Sequence, residues 1–180
     1  MSEDFGDGYK EYITEVSDFP KPGIGFKDIS PLLADEQTFR SAIVDMGRCV
    51  DASNRCPDYW IGIDSRGFLF ASALATYFGG GVVCARKEGK LPNASCRVSY
   101  ELEYGSAVLE MQHNGYDIHN PKTAVIVDDV LATGGTLEAT NRVAGLAGYD
   151  VVDNVVLIDL KYVPRIDNFD IDVKSVVSYE

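Results

Sequence analysis

Several ingredients are missing from this chain, and each absence removes a class of function. Of its 180 residues, 16 are basic and 28 acidic, giving a formal charge of −12. Without a cationic excess the chain cannot neutralise a nucleic-acid backbone, so no nucleic-acid partner is expected and any anionic ligand needs a local basic cluster. No apolar run approaches bilayer-spanning length, and Met1 to Lys10 is acidic and Gly-rich where a signal peptide would be basic and then apolar. No membrane partner is expected, and the chain reads as cytoplasmic. The four cysteines, Cys49, Cys56, Cys84 and Cys96, form no C-x-x-C pair, and the two histidines, His113 and His119, lie far from them in sequence. That spacing argues against zinc and leaves free thiols, with Cys84 expected in a strand core. Neither G-x-x-x-x-G-K-[ST] nor G-x-G-x-x-G after a strand occurs, so P-loop and dinucleotide-binding readings lose their main support.

What is present is an ordinary globular composition, 46% hydrophobic and 24% charged, at a length that fits one domain, residues 1–180. The most informative stretch is Val125-Ile126-Val127-Asp128-Asp129-Val130-Leu131-Ala132-Thr133-Gly134-Gly135-Thr136. A β-branched apolar run ends in two carboxylates and turns through small residues into an amphipathic helix expected over Leu137–Leu146. Backbone N–H groups in such a turn can converge on one point, and the helix dipole adds positive potential there, which suits a phosphate. Asp128 and Asp129 at the strand tip can accept hydrogen bonds from sugar hydroxyls or hold hydrated Mg²⁺. A sugar phosphate is the ligand that uses both features. Two plainer readings remain: a βα turn with ordinary cap residues, and a Walker B strand whose partner loop is missing.

Elsewhere, Lys10–Ser17 reads as a short helix, and Asp18 to Pro31 is too rich in Pro and Gly for regular structure. That segment still carries Phe19, Ile24, Phe26 and Ile29, which suggests either a packed hood or an arm covering a sheet edge. Asp35 caps a helix expected over Glu36–Ala52 with Phe39, Ile43, Met46 and Val50 on one face. Tyr59–Asp64 reads as a buried strand that turns through Ser65-Arg66-Gly67 into a helix, Phe68–Tyr77. Arg66 stands where open α/β sheets bind ligands. A strand at Val82–Ala85 runs into Arg86-Lys87-Glu88-Gly89-Lys90, either a solvated charged loop or an anion site. Val98, Tyr100, Leu102 and Tyr104 then alternate with Ser99, Glu101 and Glu103, a β-ribbon able to act as a lid hinged at Gly105. A turn-rich connection at Gly115–Lys122 and strands at 151–160 and 171–179 complete the pattern. Strands alternating with helices predict an α/β domain with a mostly parallel central sheet flanked by helices, a small N-terminal hood (1–33) and a mobile β-ribbon lid (87–108).

Five motif blocks occur in order: Phe19-Pro20-x-Pro22-Gly23-Ile24-x-Phe26-Lys27-Asp28-Ile29, Gly62-Ile63-Asp64-Ser65-Arg66-Gly67-Phe68, Arg86-Lys87-x-Gly89-Lys90-Leu91-Pro92, Glu103-Tyr104-Gly105, and the Val127–Thr136 loop. On these the chain resembles the adenine phosphoribosyltransferases, type I phosphoribosyltransferases. The resemblance implies transfer of a 5-phosphoribosyl group from phosphoribosyl pyrophosphate to adenine, giving AMP and pyrophosphate with Mg²⁺ as cofactor, by a homodimer.

The resemblance also implies roles for individual residues. Ala132, Thr133, Gly134, Gly135 and Thr136 would bind the 5′-phosphate, and Asp128 and Asp129 the ribose hydroxyls, with Mg²⁺ held mainly by substrate near them. Asp64, Ser65 and Arg66 would form a pyrophosphate loop. Arg86, Lys87 and Lys90 would neutralise pyrophosphate, Arg86 reaching a neighbouring subunit's site. Phe26 would stack on the base, Ile24 and Gly25 would offer it backbone groups, and Lys27 would sit beside it. Glu103 and Tyr104 would close over the substrates. The catalytic set implied is Glu103, Arg66, Asp128 and Asp129. The chain departs from the family pattern at Gly25, at Lys27 where Arg is common, at Gln112-His113-Asn114 and over Leu160–Arg165. A different purine base, or a weakly active relative that senses phosphoribosyl pyrophosphate or a nucleotide, is the alternative.

Overall fold

The computed structural model describes residues 6–19, 21–23, 25–102, 105–113 and 122–180. Helix α1 (Asp7–Lys10) leads to β1 (Thr14–Val16), which pairs antiparallel with β2 (Phe26–Asp28), Val16 opposite Phe26. Helix α2 (Ser30–Ala34) carries Pro31 in its first turn, where a missing N–H is harmless. Helix α3 (Glu36–Cys49) is capped by Asp35, whose Oδ1 accepts the Thr38 N–H at 2.8 Å. Then follow β3 (Tyr59–Ile63), α4 (Gly67–Phe78), β4 (Gly81–Lys87), β5 (Cys96–Leu102), β6 (Gly105–Met111), β7 (Lys122–Leu131), α5 (Gly135–Leu146), β8 (Tyr149–Leu160) and β9 (Lys174–Tyr179).

A seven-stranded sheet runs in the order β5-β6-β4-β3-β7-β8-β9. The strands β4, β3, β7, β8 and β9 are parallel, and β6 and β5 add an antiparallel ribbon at the β4 edge. From β3 the chain crosses to β4 on one side, and from β7 it crosses to β8 on the other. The order therefore reverses between β3 and β7, which opens a crevice beyond their carboxyl ends.

Alternation along the strands divides the core in two. Trp60, Val125, Val127, Val155 and Leu157 face α3 and α4, where Ile43, Met46, Phe70 and Leu74 meet them. Ile61, Ile63, Ala124, Ile126 and Val156 face α5 and the ribbon, meeting Leu137, Val143, Val98 and Leu109. These strands are buried on both sides, which is why they read as continuous apolar runs. Trp60 sends its indole N–H to the Gly79 carbonyl at 2.8 Å, so its burial leaves no orphaned donor.

Several expected boundaries shift. In place of a helix over Lys10–Ser17, α1 ends at Lys10 and Thr14–Val16 becomes a strand, because the partner at 26–28 supplies hydrogen bonds that local helix propensity does not foresee. For the same reason the Pro/Gly-rich stretch is not wholly irregular: Phe26–Asp28 is a strand and Ser30 begins a helix. Helix α3 stops at Cys49, short of Ala52, as Asp51 takes a positive φ of 53°. Strand β4 extends to Lys87 because Arg86 and Lys87 pair with Glu110 and Leu109, and Cys84 is half-buried rather than a core residue. The expected turn at Gly115–Lys122 lies outside the described residues except for Lys122, which opens β7. All four cysteines are free thiols.

Candidate active site

The turn from β3 into α4 is short and tightly held. Asp64 donates its backbone N–H to Ala85 at 2.9 Å, the Asp64–Ser65 peptide is cis, and α4 begins at Gly67. A Cβ at Gly67 would come within 2.6 Å of the Val127 carbonyl, so only glycine lets the start of α4 lie against β7. That approach brings Arg66 to the carboxylates of the neighbouring strand. Its Nε lies 2.8 Å from Asp129 Oδ2, and its guanidinium sits 4.7 Å over the Phe26 ring. The Arg66 N–H is not aimed at that oxygen, which is left without a hydrogen bond among the described residues. Arg86 turns back to Asp64, Nε to Oδ2 at 3.3 Å, and lies over Phe68.

At the end of β7 the backbone N–H of Asp129 donates to Asp128 Oδ1 at 2.9 Å. Burial raises the Asp128 carboxyl well above the usual carboxylate range, and the adjacent Asp129 charge raises it further. Burial also raises Asp129, though the Arg66 guanidinium opposes it. Two desolvated carboxylates side by side are poised to take up hydroxyl donors or a cation. Past them the chain turns at Gly134, φ +88°, into α5. The segment 161–169 backs this turn: Arg165 donates to the Ala132 carbonyl and pairs with Asp159, and Ile166 donates to the Thr133 carbonyl at 2.9 Å.

These parts surround a cavity of about 670 Å³ at the β3/β7 switch point. Of the residues singled out from the sequence, Phe26, Asp64, Ser65, Arg66, Lys87, Asp128, Asp129, Ala132, Thr133, Gly134 and Thr136 line it together. Gly135 begins α5 just behind. Lys27 does not join them. It is buried against Glu15, Nζ to Oε2 at 2.6 Å, and lies 4.1 Å over the Tyr179 ring. Gly25 is exposed, with a built Cβ only 3.2 Å from Glu15 Oε1. Lys90 is exposed on the turn after β4 and does not line the cavity, and Arg86 reaches it only through Asp64. Ile24, Glu103 and Tyr104 lie outside the described residues.

The wall that sequence reading missed is the ribbon's inner face, Tyr100, Ala107 and Leu109. Period-two alternation assigned Tyr100 to the apolar face but could not say what that face covers. In chemical terms the cavity offers loop amides at a helix start, a carboxylate pair, a cationic side formed by Arg66 and Lys87, and an aromatic ring.

The Phosphoribosyl transferase domain family matches residues 40–175. The adenine phosphoribosyltransferase of Rhodospirillum rubrum is 43% identical over 171 residues, covering 95% of this chain and 98% of that protein. The chain belongs to the adenine phosphoribosyltransferase family. A second member, from Hydrogenovibrio crunogenus, is 42% identical, covering 94% of this chain and 95% of its own length. Among solved structures of the family, that from Thermoanaerobacter pseudethanolicus superposes with a TM-score of 0.86 at 36% identity, over 96% of this chain and 99% of that one. The Saccharomyces cerevisiae member, solved with an imino-altritol bisphosphate and adenine, gives a TM-score of 0.83 at 29% identity, over 96% of this chain and 98% of its own. The fold expected from the sequence, a mostly parallel sheet flanked by helices, is the fold of these family members.

Proposed function

We propose that the chain transfers the 5-phosphoribosyl group of phosphoribosyl pyrophosphate to adenine, releasing AMP and pyrophosphate. The observation that carries this reading is the gathering of Asp128, Asp129, the Ala132–Gly134 turn, Arg66 and Phe26 around one cavity. The loop amides and the α5 dipole take the 5′-phosphate, and the two carboxylates take the ribose hydroxyls. Arg66, Ser65 and Lys87 take the pyrophosphate, assisted by Lys90 from the exposed turn. Phe26 carries the purine, its ring steadied edge-on by Phe19 at 5.1 Å. The yeast family member was solved in complex with adenine and an imino-altritol bisphosphate, which supports this pair of ligand types.

The reaction breaks the bond from C1′ to the pyrophosphate oxygen and forms one from C1′ to adenine N9. Positive charge grows on the ribose while negative charge leaves with pyrophosphate. The half-buried Asp128 and buried Asp129 carboxylates oppose the first, and Arg66 and Lys87 the second. The N9 proton passes to a carboxylate, assigned here to Glu103 on the ribbon, with Tyr104 beside it and Ile24 and Gly25 offering backbone groups to the purine edge. Closure of the ribbon, residues 87–108, keeps water from the cationic ribose. Asp128 and Asp129 supply the hard oxygen donors that would hold Mg²⁺ brought in with the substrate, with Asp129 Oδ2, which accepts no hydrogen bond among the described residues, shared with the Arg66 charge. A metal held there would supply positive charge to balance the pyrophosphate.

Residues 1–180 act as one domain with residues 1–33 as the hood. Exposed Leu69 and Tyr77 beside the apolar groove between α3 and α4 support a homodimer, in which Arg86 serves the neighbouring site. The enzyme is assigned to cytoplasmic purine salvage, because a charged sugar phosphate does not cross a bilayer unaided and is used where it is made. The test is incubation with Mg²⁺, phosphoribosyl pyrophosphate and a panel of purines. AMP formed fastest from adenine is expected. No nucleotide from any base would overturn the reading, and product from another purine alone would reassign the base. Within it, Glu103→Gln is expected to lower kcat far more than it weakens phosphoribosyl pyrophosphate binding.

A further inference from the structure

Arg165 sits 33 residues beyond the phosphate turn in sequence, yet its guanidinium is committed to that turn. One end is held by the Asp159 carboxylate, near the end of β8 and opposite Leu131 in the strand register. The other end, Nη1, donates to the Ala132 carbonyl and also meets the carbonyls of Leu160 at 3.1 Å and Val163 at 3.3 Å. One residue on, the Ile166 N–H donates to the Thr133 carbonyl at 2.9 Å. Phe169 then lies against Gly134, so near that a Cβ there would come within 2.5 Å of its ring. Three successive residues of the turn are held from one side by a single segment.

A trans peptide points its C=O and its N–H in opposite directions. The only cis peptide among the described residues is Asp64–Ser65, so the turn is trans throughout. Drawing the carbonyls of Ala132 and Thr133 outward toward 165–166 therefore drives the N–H groups of Thr133 and Gly134 the other way. Ala132, Thr133 and Gly134 line the cavity and Arg165, Ile166 and Phe169 do not, so the side of the turn turned away from 165–169 is the cavity side. We infer that Arg165 is a positioning residue that aims the backbone amides of the 132–134 turn at the phosphate before substrate arrives, with Asp159 holding Arg165 in place.

The residue type fits the task. A planar guanidinium can serve several carbonyls and a carboxylate from one fixed plane, whereas a lysine ammonium offers a point charge without that geometry. A turn aimed in advance spares the ligand the cost of ordering it. The inference rests on the proposed role of this turn as the 5′-phosphate site, and the experiment separates the two.

Calorimetric titration with AMP, and with pyrophosphate as a ligand lacking the 5′-phosphate, is run on the whole chain and on Arg165→Ala, Arg165→Lys and Asp159→Asn. Steady-state kinetics and thermal melting accompany it. Arg165→Ala is expected to weaken AMP binding and raise the phosphoribosyl pyrophosphate KM by about tenfold or more, the scale of lost charge-assisted contacts, with pyrophosphate affinity and adenine KM within about twofold. Arg165→Lys falls between, Asp159→Asn moves the same way by less, and added guanidinium ion restores AMP affinity to Arg165→Ala. Unchanged AMP affinity in a folded variant overturns the inference, as does equal weakening of AMP and pyrophosphate. Should Arg165→Ala fail to fold, Arg165→Lys and Asp159→Asn decide by the same criteria. If the unaltered chain binds pyrophosphate but not AMP, the phosphate-site reading itself falls, and the inference with it.

Discussion

Lys27 Nζ donates to Glu15 Oε2 at 2.6 Å and lies over the Tyr179 ring at 4.1 Å, so the side chain next to Phe26 is an anchor of the hood and not a wall of the cavity. It ties β2 to β1 and to the last strand of the main sheet. Lys27→Ala removes the ion pair and the cation–π contact, together worth about 1 kcal/mol, so the adenine KM should rise about fivefold. The phosphoribosyl pyrophosphate KM should hardly move. Steady-state kinetics with each substrate varied in turn checks this, and equal effects on both would show that Lys27 does not act through the hood.

Arg66 meets two partners of different chemistry, the Asp129 carboxylate and the face of Phe26. Lysine would keep the charge but lose the planar contact with the ring. Arg66→Lys is expected to lower kcat/KM by about a hundredfold, a loss of about 3 kcal/mol of transition-state stabilisation. Assay against both substrates measures it, and near-normal turnover would reduce Arg66 to a simple counter-ion.

The half-buried Asp128 carboxylate, desolvated beside Asp129, is held at a cost to the fold. In the folded chain burial raises its pKa, so it keeps its proton to higher pH than in the unfolded chain, where the value is 3.8. The native state then binds more protons than the unfolded one, and stability falls as pH rises from the ordinary carboxylate range through the raised value. Asp128→Asn keeps the Oδ1 acceptor for the Asp129 N–H and removes the charge. Its thermal midpoint should lie about 2–4 °C above that of the unaltered chain at neutral pH, with the gain absent below about pH 4, while activity is lost. Melting curves across pH test the sign.

Glu110 is 1% exposed in β6, with Arg97 directly opposite on one neighbouring strand. Its Oε2 accepts the Gly89 N–H at 3.0 Å, and Arg97 Nε lies 3.0 Å from its Oε1. The carboxylate thus holds the turn that presents Lys87 and Lys90. Glu110→Ala removes the buried acceptor of the Gly89 N–H and the partner of Arg97, and should cost about 1–2 kcal/mol in denaturant unfolding. Glu110→Gln, which keeps an acceptor, should cost less. Pyrophosphate affinity, read by titration, is expected to fall with the loosened turn.

What could be read from the chain alone was whatever lies in one continuous stretch. The Val125–Thr136 run shows its strand, its carboxylates and its turn in a row, because each follows from the residues themselves: β-branched side chains, then acids, then glycines that permit close approach. The period-two pattern of the ribbon and the cap at Asp35 were legible on the same ground. The structure adds the relations between distant segments. Lys27 is one residue from the base platform, yet only the return of β9 past the hood decides that it points to Tyr179 and Glu15. Thr14–Val16 is a strand because Phe26–Asp28 lies alongside it. Arg165 looks like an ordinary loop arginine until β8, pairing beside β7, brings it under the phosphate turn. A local pattern specifies which backbone a segment prefers and which face it buries. Which segment fills the other side of a hydrogen bond depends on the order in which the strands lie in the sheet, and only the tertiary structure decides that.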